Sequence, residues 1–270
     1  LLAPLLLVLL PSVVGCADQQ PVSGQCNNDK CDDRGPSGID EPVTVIDVSS
    51  GFVLGGMNPD GSTFGPQEAA GLVQGSGYTL LTLDGYFSEE SFNIDTNPVV
   101  EEICEQPVVS FGGALDGQRI IAVSSPSAVP ADILVQRPNN DQYRTFAMDF
   151  LAENGTPVPD LEITQLMRGD LDSNGTDEVI FVGQVPRELL PEFDPFTGTA
   201  SEEQTFPEAV VLMREVVGND VVTSFVVSNT SVCGDLCAAN YDVMAIVDID
   251  GNGLSEIFIA RPVTSPSSPS

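Results

Sequence analysis

DLDSNGTDEVIFV, residues 170–182, packs four carboxylates and no base into its first nine residues and then runs straight into an apolar segment. A second stretch, DIDGNGLSEIFIA at 248–260, repeats the same grammar. Counting from the first aspartate, each copy has acids at positions 1 and 3, asparagine at 5, glycine at 6 and glutamate at 9. In the first copy these are Asp170, Asp172, Asn174, Gly175 and Glu178; in the second they are Asp248, Asp250, Asn252, Gly253 and Glu256. Each is entered from an apolar run (ITQLM or VMAIV) and left by another, the pattern of a tight turn between two strands.

Alternate oxygen-bearing side chains on a tight turn converge on one point. Calcium, which takes six to eight hard oxygens at 2.3–2.6 Å, is served by such a turn. The glycine at position 6 permits the bend, and the seventh residue, Thr176 or Leu254, would offer its backbone carbonyl. Two carboxylates held about 4 Å apart repel by roughly 4 kcal/mol at an effective dielectric near 20. Arg168 is the only base close by in sequence, so an external cation has to balance the loop. Asp, Asn and Gly also make ordinary hairpin turns, and one such loop can arise that way. Two copies with one grammar favour the cation.

An EF-hand would need a bidentate glutamate at position 12 between helices. Position 12 here is Phe181 or Ile259 inside an apolar run. Loops that end on a glutamate at position 9 and open a strand resemble the Asp-rich calcium turns of FG-GAP and VCBS-type repeats, the blades of integrin-α-like β-propellers. The resemblance covers residues 161–183 and 240–260; SFGGAL at 110–115 matches the Phe-Gly/Gly-Ala-Pro signature loosely and lacks its proline. It implies a structural Ca2+ that ties each loop to its blade, with the partner surface elsewhere on the array.

Between 43 and 262 the chain reads as an all-β repeat domain. Expected strands are VTVIDV (43–48), TLLTL (79–83), PVVSF (107–111), RIIAVS (119–124), DILVQ (132–136) and YRTFAMDF (143–150). Downstream follow EVIFVG (178–183), AVVLMREVV (209–217), VVTSFVV (221–227), DVMAIVDI (242–249) and EIFIA (256–260). Only PQEAAGLVQ (66–74) keeps a helical period. Gly175 and Gly253 lie 78 residues apart with about four strands between them, one blade with the insertion 186–208, and a fainter third copy falls at LDGQRIIAV (115–123). The span holds about three to four antiparallel blades of a propeller-like array, incomplete or irregular, since fewer than four rarely close a ring.

LLAPLLLVLLPSVVG, residues 1–15, is uncharged and too short to span a bilayer, and reads as a signal peptide. Val13-Val14-Gly15-Cys16 resembles the lipobox of bacterial lipoproteins, which implies a lipid on Cys16 and export to the outer membrane or cell surface, with the periplasm as the alternative. Residues 16–42 are a polar, acidic tether and 263–270 a Ser/Pro tail. Cys26 with Cys31 and Cys233 with Cys237 are each spaced to close a small loop, leaving Cys104 alone. With no histidine and no repeated short cysteine interval, zinc is a weak alternative.

Forty acids against nine bases give a net charge of −31. Such a surface repels phosphate backbones and anionic headgroups, so nucleic acid is an unfavourable partner and the membrane is reached through the lipid alone. Without histidine, and with the single lysine, Lys30, in the tether, Ser-His, Cys-His and Schiff-base chemistry lack their parts. Carboxylate chemistry survives, so the alternative to a calcium-binding module that grips a protein or glycan is a secreted carbohydrate-active enzyme using an Asp/Glu pair. No motif nominates that pair. Arg168-Gly169-Asp170 spells an integrin-recognition tripeptide, but Asp170 is already the first calcium ligand.

Overall fold

The computed structural model describes residues 39–75, 77–86, 93–94, 99–100, 107–112, 119–138, 140–190, 193–194, 199–200, 206–229 and 241–260. The expected signal peptide (1–15), most of the expected tether (16–42), the 263–270 tail and all six cysteines, Cys16 included, lie outside these residues.

Strands β1 (Val43–Asp47), β2 (Val53–Met57) and β3 (Thr63–Phe64) form a meander closed by a short helix, α1 (Pro66–Ala70). Strands β4 (Thr79–Thr82), β5 (Gly85–Tyr86) and β6 (Ile121–Val123) complete a six-stranded sheet in the order β3-β2-β1-β6-β4-β5. Strand β7 (Val129–Pro130) leaves for another sheet. Strand β8 (Leu134–Gln136), helix α2 (Asp141–Glu153) and strands β9 (Glu162–Gly169), β10 (Glu178–Gln184), β11 (Ala209–Val217) and β12 (Asp220–Asn229) build a five-stranded sheet in chain order, with the helix on one face. Strands β13 (Asp242–Asp248) and β14 (Glu256–Ala260) pair with β7 in a three-stranded sheet. Phe193–Asp194 with Thr199–Ala200, and two further pairs of two-residue strands, make small ribbons. Every described pairing is antiparallel, and the all-β expectation holds.

The three larger sheets stack, and the three-stranded one is the middle layer. Met244, Ala245, Val247, Ile249 and Phe258 pack against Val43, Val45, Leu54, Leu81 and Ile121 of the six-stranded sheet. Val243, Ile246, Ile257 and Ile259 face the other way, onto Met167, Ile180, Val182 and Val211 of the five-stranded sheet. A strand buried on both faces has no polar side to show, which is why VMAIV reads as an unbroken apolar run. Outer layers are the helices: α1 covers Ile46, Val53 and Ala122, and α2 covers Leu166, Phe181 and Leu212.

Polar clasps tie the layers. Asp242 accepts from Gln165 Nε2 at 2.7 Å, Val243 N–H donates to Gln165 Oε1 at 2.7 Å, and Arg119 reaches Asp242 at 2.7 Å. The Gln165 amide thus serves the backbone where a bulge between Val243 and Ala245 interrupts the ladder.

One expectation needs correcting. Residues 143–150 are helix, not strand. Asn140 caps them by accepting from the N–H of Gln142 at 3.1 Å and of Tyr143 at 3.4 Å, and Tyr143, Phe146, Ala147, Phe150 and Leu151 recur at helical spacing toward the sheet. Three sheets lie layer on layer, and no closed ring forms among the described residues. Strand β2, VLGGM, went unread because glycine is a poor strand former; here Gly56 is required, since a Cβ would lie 2.1 Å from the Val43 carbonyl oxygen and 2.3 Å from the Phe64 ring. The faint third copy supplies β6, while its Gly117 lies outside the described residues.

Candidate metal centre

Both acidic loops turn between consecutive strands, the first between β9 and β10 and the second between β13 and β14. They have the same backbone. Position 4 has positive φ in each (Ser173, 56°; Gly251, 73°), as does position 6 (Gly175, 85°; Gly253, 84°). Glycine accepts that conformation freely, whereas Ser173 is the only non-glycine among the described residues to adopt it.

Most of their hydrogen bonds also correspond, the second loop adding one from Gly251 N to Asp248 at 2.7 Å. In the first loop Asp170 accepts from Asn174 N at 3.0 Å and Gly175 N at 2.9 Å, and Asp172 accepts from Asn174 N at 3.1 Å and Asn174 Nδ2 at 2.7 Å. Thr176 N donates to Asn174 Oδ1 at 2.7 Å. In the second, Asp248 accepts from Asn252 N at 3.1 Å and Gly253 N at 2.8 Å, Asp250 from Asn252 N at 3.1 Å and Asn252 Nδ2 at 3.0 Å, and Leu254 N donates to Asn252 Oδ1 at 2.7 Å. The glutamate closes each turn, Glu178 accepting from Leu171 N at 2.7 Å and Glu256 from Ile249 N at 3.0 Å.

Sequence reading overlooked position 2. Leu171 and Ile249 are apolar plugs driven into the two inter-sheet cores, Leu171 on one side of the middle layer and Ile249 on the other. Their burial draws the ninth-position glutamates inward to cap their N–H groups. An apolar residue between two aspartates in both copies was the available signal. The loops also touch: Ser255 N donates to the Leu171 carbonyl at 2.8 Å, and Ser173 Oγ lies 3.3 Å from where a Cβ on Gly253 would sit.

In the first loop carboxylate oxygens of Asp170, Asp172 and Glu178 lie within 4.8 Å of one another, the one such trio of acids among the described residues. Burial pushes Glu178 up to about 7, and the charges of Asp172 and Asp170 add to the rise. Glu256, only 2 % exposed, is pushed up to about 8, first by burial and then by Asp250 and Asp248. Asp250 is raised as well, chiefly by burial. Glu215 on β11, facing the first loop, is raised by burial and by Asp172. Burial first, and neighbouring acids second, disfavour the charged form of these carboxyls, the condition that a divalent cation relieves.

The remaining predicted residues fall as follows. Phe181 and Ile259, the would-be twelfth ligands of an EF-hand, are buried in strands. Arg168 pairs with Asp177 at 2.7 Å, which engages the tripeptide's arginine and leaves its aspartate in the loop. Cys16, Cys26, Cys31, Cys104, Cys233 and Cys237 are outside the described residues, as are the contacts they would make. No described helix is long and apolar enough to cross a membrane. No protein-family model, curated protein or solved structure matches the chain.

Proposed function

We propose that the chain is a calcium-stabilised extracytoplasmic β-repeat module, held to the outer membrane or cell surface by lipid on Cys16, that presents its sheets to a protein or glycan partner. The observation that carries the reading is that loops 78 residues apart share positive φ at positions 4 and 6 and a corresponding set of bonds from aspartate, asparagine and glutamate side chains, around glutamates that burial has made reluctant to ionise. Turns needed only as turns would not place a glutamate against a core residue's N–H and crowd it with two aspartates.

In this reading Asp170, Asp172, Asn174 and Glu178, with the Thr176 carbonyl, hold one ion; Asp248, Asp250, Asn252 and Glu256, with the Leu254 carbonyl, hold the second. Each ion would fasten a turn whose second residue plugs an inter-sheet core, so loading stiffens the stack of blade-like units. Extracellular calcium modules bind at about 10⁻⁴ to 10⁻³ M, and at ten times the dissociation constant each ion adds about 1.4 kcal/mol. Calcium firms the fold without deciding it.

Titration calorimetry at pH 8 is the test. Two Ca2+ per chain are expected, one after Asp172→Asn and one after Asp250→Asn, with Mg2+ binding more weakly because it demands a tighter octahedron. Absence of binding heat at millimolar calcium would end the proposal.

A further inference from the structure

The outer strand β12 of the five-stranded sheet is the longest edge strand among the described residues. Elsewhere the outermost strands of the two larger sheets are two or three residues long (Thr63–Phe64, Gly85–Tyr86, Leu134–Gln136), the usual way of blunting an edge. Strand β12 runs ten residues, Asp220–Asn229, and among the described residues pairs on one side only, with β11. The β11–β12 hairpin also overhangs: its neighbour β10 stops pairing at Val179 opposite Arg214, so among the described residues no strand pairs with 215–217 on that side and 220–222 are held by 215–217 alone. Val221 there is 58 % exposed and Val222 40 %.

From Val221 on, the edge is also uncharged. Over residues 221–229, VVTSFVVSN, there is no charge at all, in a protein whose net charge is −31. Acids spread over the rest of the surface hold copies apart; along this edge that repulsion is lifted. A β-bulge at Val226 bends the strand beyond Phe225, leaving Asp220–Phe225 as the straight segment.

We propose that this edge pairs with the same edge of a second copy, joining two five-stranded sheets into one. Antiparallel pairing about a two-fold axis normal to the sheet sets side chains of one face opposite each other, so partners differ by an even number of residues. Centred on Thr223, that register places Val221 opposite Phe225, Thr223 opposite its own copy and Val222 opposite Ser224. Aromatic with β-branched and threonine with threonine are favourable cross-strand pairs. Asp220 falls opposite Val226 and away from its own copy. Phe225 is already steadied by Phe150 of α2, with ring centroids 4.8 Å apart, so it enters the contact pre-ordered.

The test is sedimentation velocity of the full chain in reducing buffer, which removes disulfide dimers, at 0.5 M NaCl to screen the net charge. A dimer growing in with concentration is expected. Val221→Lys with Val222→Lys should weaken it by at least about tenfold in dissociation constant. Leu72→Lys with Val129→Lys, which makes the same charge change on other exposed residues, should leave it intact or tighten it. Two added lysines lower the net charge and favour indiscriminate association, so loss of the dimer in the edge variant runs against the charge trend. A wild-type chain that stays monomeric to about 100 µM, a dimer that survives the edge variant, or one that falls equally in the control would each overturn the proposal. Should the edge variant lose its circular dichroism, amide exchange of the wild type decides: residues 221–225 must slow on dimerisation, and unchanged exchange there refutes the pairing.

Discussion

Loading the loops with calcium should expel the protons that the two buried glutamates hold beforehand. With Glu178 at about 7 and Glu256 at about 8 in the metal-free chain, pH 7 leaves roughly half a proton on the first and nine-tenths on the second. Both must leave for the carboxylates to ligate a cation, so two ions should release about 1.4 protons per chain at pH 7. At pH 9 the figure falls to about 0.1, and at pH 5.5 it approaches 2. Proton competition also weakens the second loop's apparent affinity by about tenfold between pH 9 and pH 7, and the first loop's by about twofold. Calorimetric titrations in buffers of different ionisation enthalpy give the proton count directly. Binding that releases fewer than about 0.3 protons at pH 7 would mean that these glutamates are not ligands or are ionised beforehand, and the site as described would be wrong.

The same groups govern stability without metal. Their folded-state values lie above the ordinary 4.5, so between pH 4.5 and about 8 the unfolded chain gives up protons that the fold retains. Stability is therefore greatest at the acid end of that window and falls as pH rises through it. Glu256 alone contributes a loss of up to about 5 kcal/mol at 1.36 kcal/mol per unit, read from urea unfolding in EDTA. Glu256→Gln should then stabilise the chain in EDTA at pH 8 and destabilise it relative to wild type in saturating calcium, a reversal of sign that a purely structural glutamate would not give. Gly175→Ala meets no neighbour but must hold a φ of 85°, so it should cost about 1–2 kcal/mol by urea unfolding. Gly253→Ala should cost more, because its Cβ also presses on Ser173. Ile257→Ala, which empties a fully buried site between the middle sheet and the five-stranded one, should cost about 2–5 kcal/mol.

Sequence displayed the loops well because their chemistry is local. Aspartate, asparagine, glycine and glutamate act over nine residues, and the turn they prescribe forms between two strands, though the positive φ of Ser173 was not legible. Most strands were equally legible as apolar runs between turn formers. What failed to show was set by distance. Residues 143–150 carry β-formers, but Asn140 and the spacing of Tyr143, Ala147 and Leu151 make a helix, a signal lost when the segment is read from its middle. Strand β2 hid behind two glycines whose purpose, close approach to Val43 and Phe64, exists only once the sheet is assembled. Nor can local pattern reveal that the middle sheet is buried on both faces, that Leu171 and Ile249 plug opposite sides of it, or that the two loops meet at Ser173 and Gly253. The Gln165 clasp joins residues 77 and 78 positions apart, beyond any periodicity.

Thermal unfolding at pH 8, in EDTA and in 5 mM calcium, on the wild type and on Asp170→Asn with Asp248→Asn, bears most directly on the central claim. With each ion adding about 1–2 kcal/mol, the wild type should gain several degrees of Tm in calcium and the double variant none. Equal Tm in both buffers for the wild type, or an equal gain in the variant, would contradict the assignment of these two turns as cation sites.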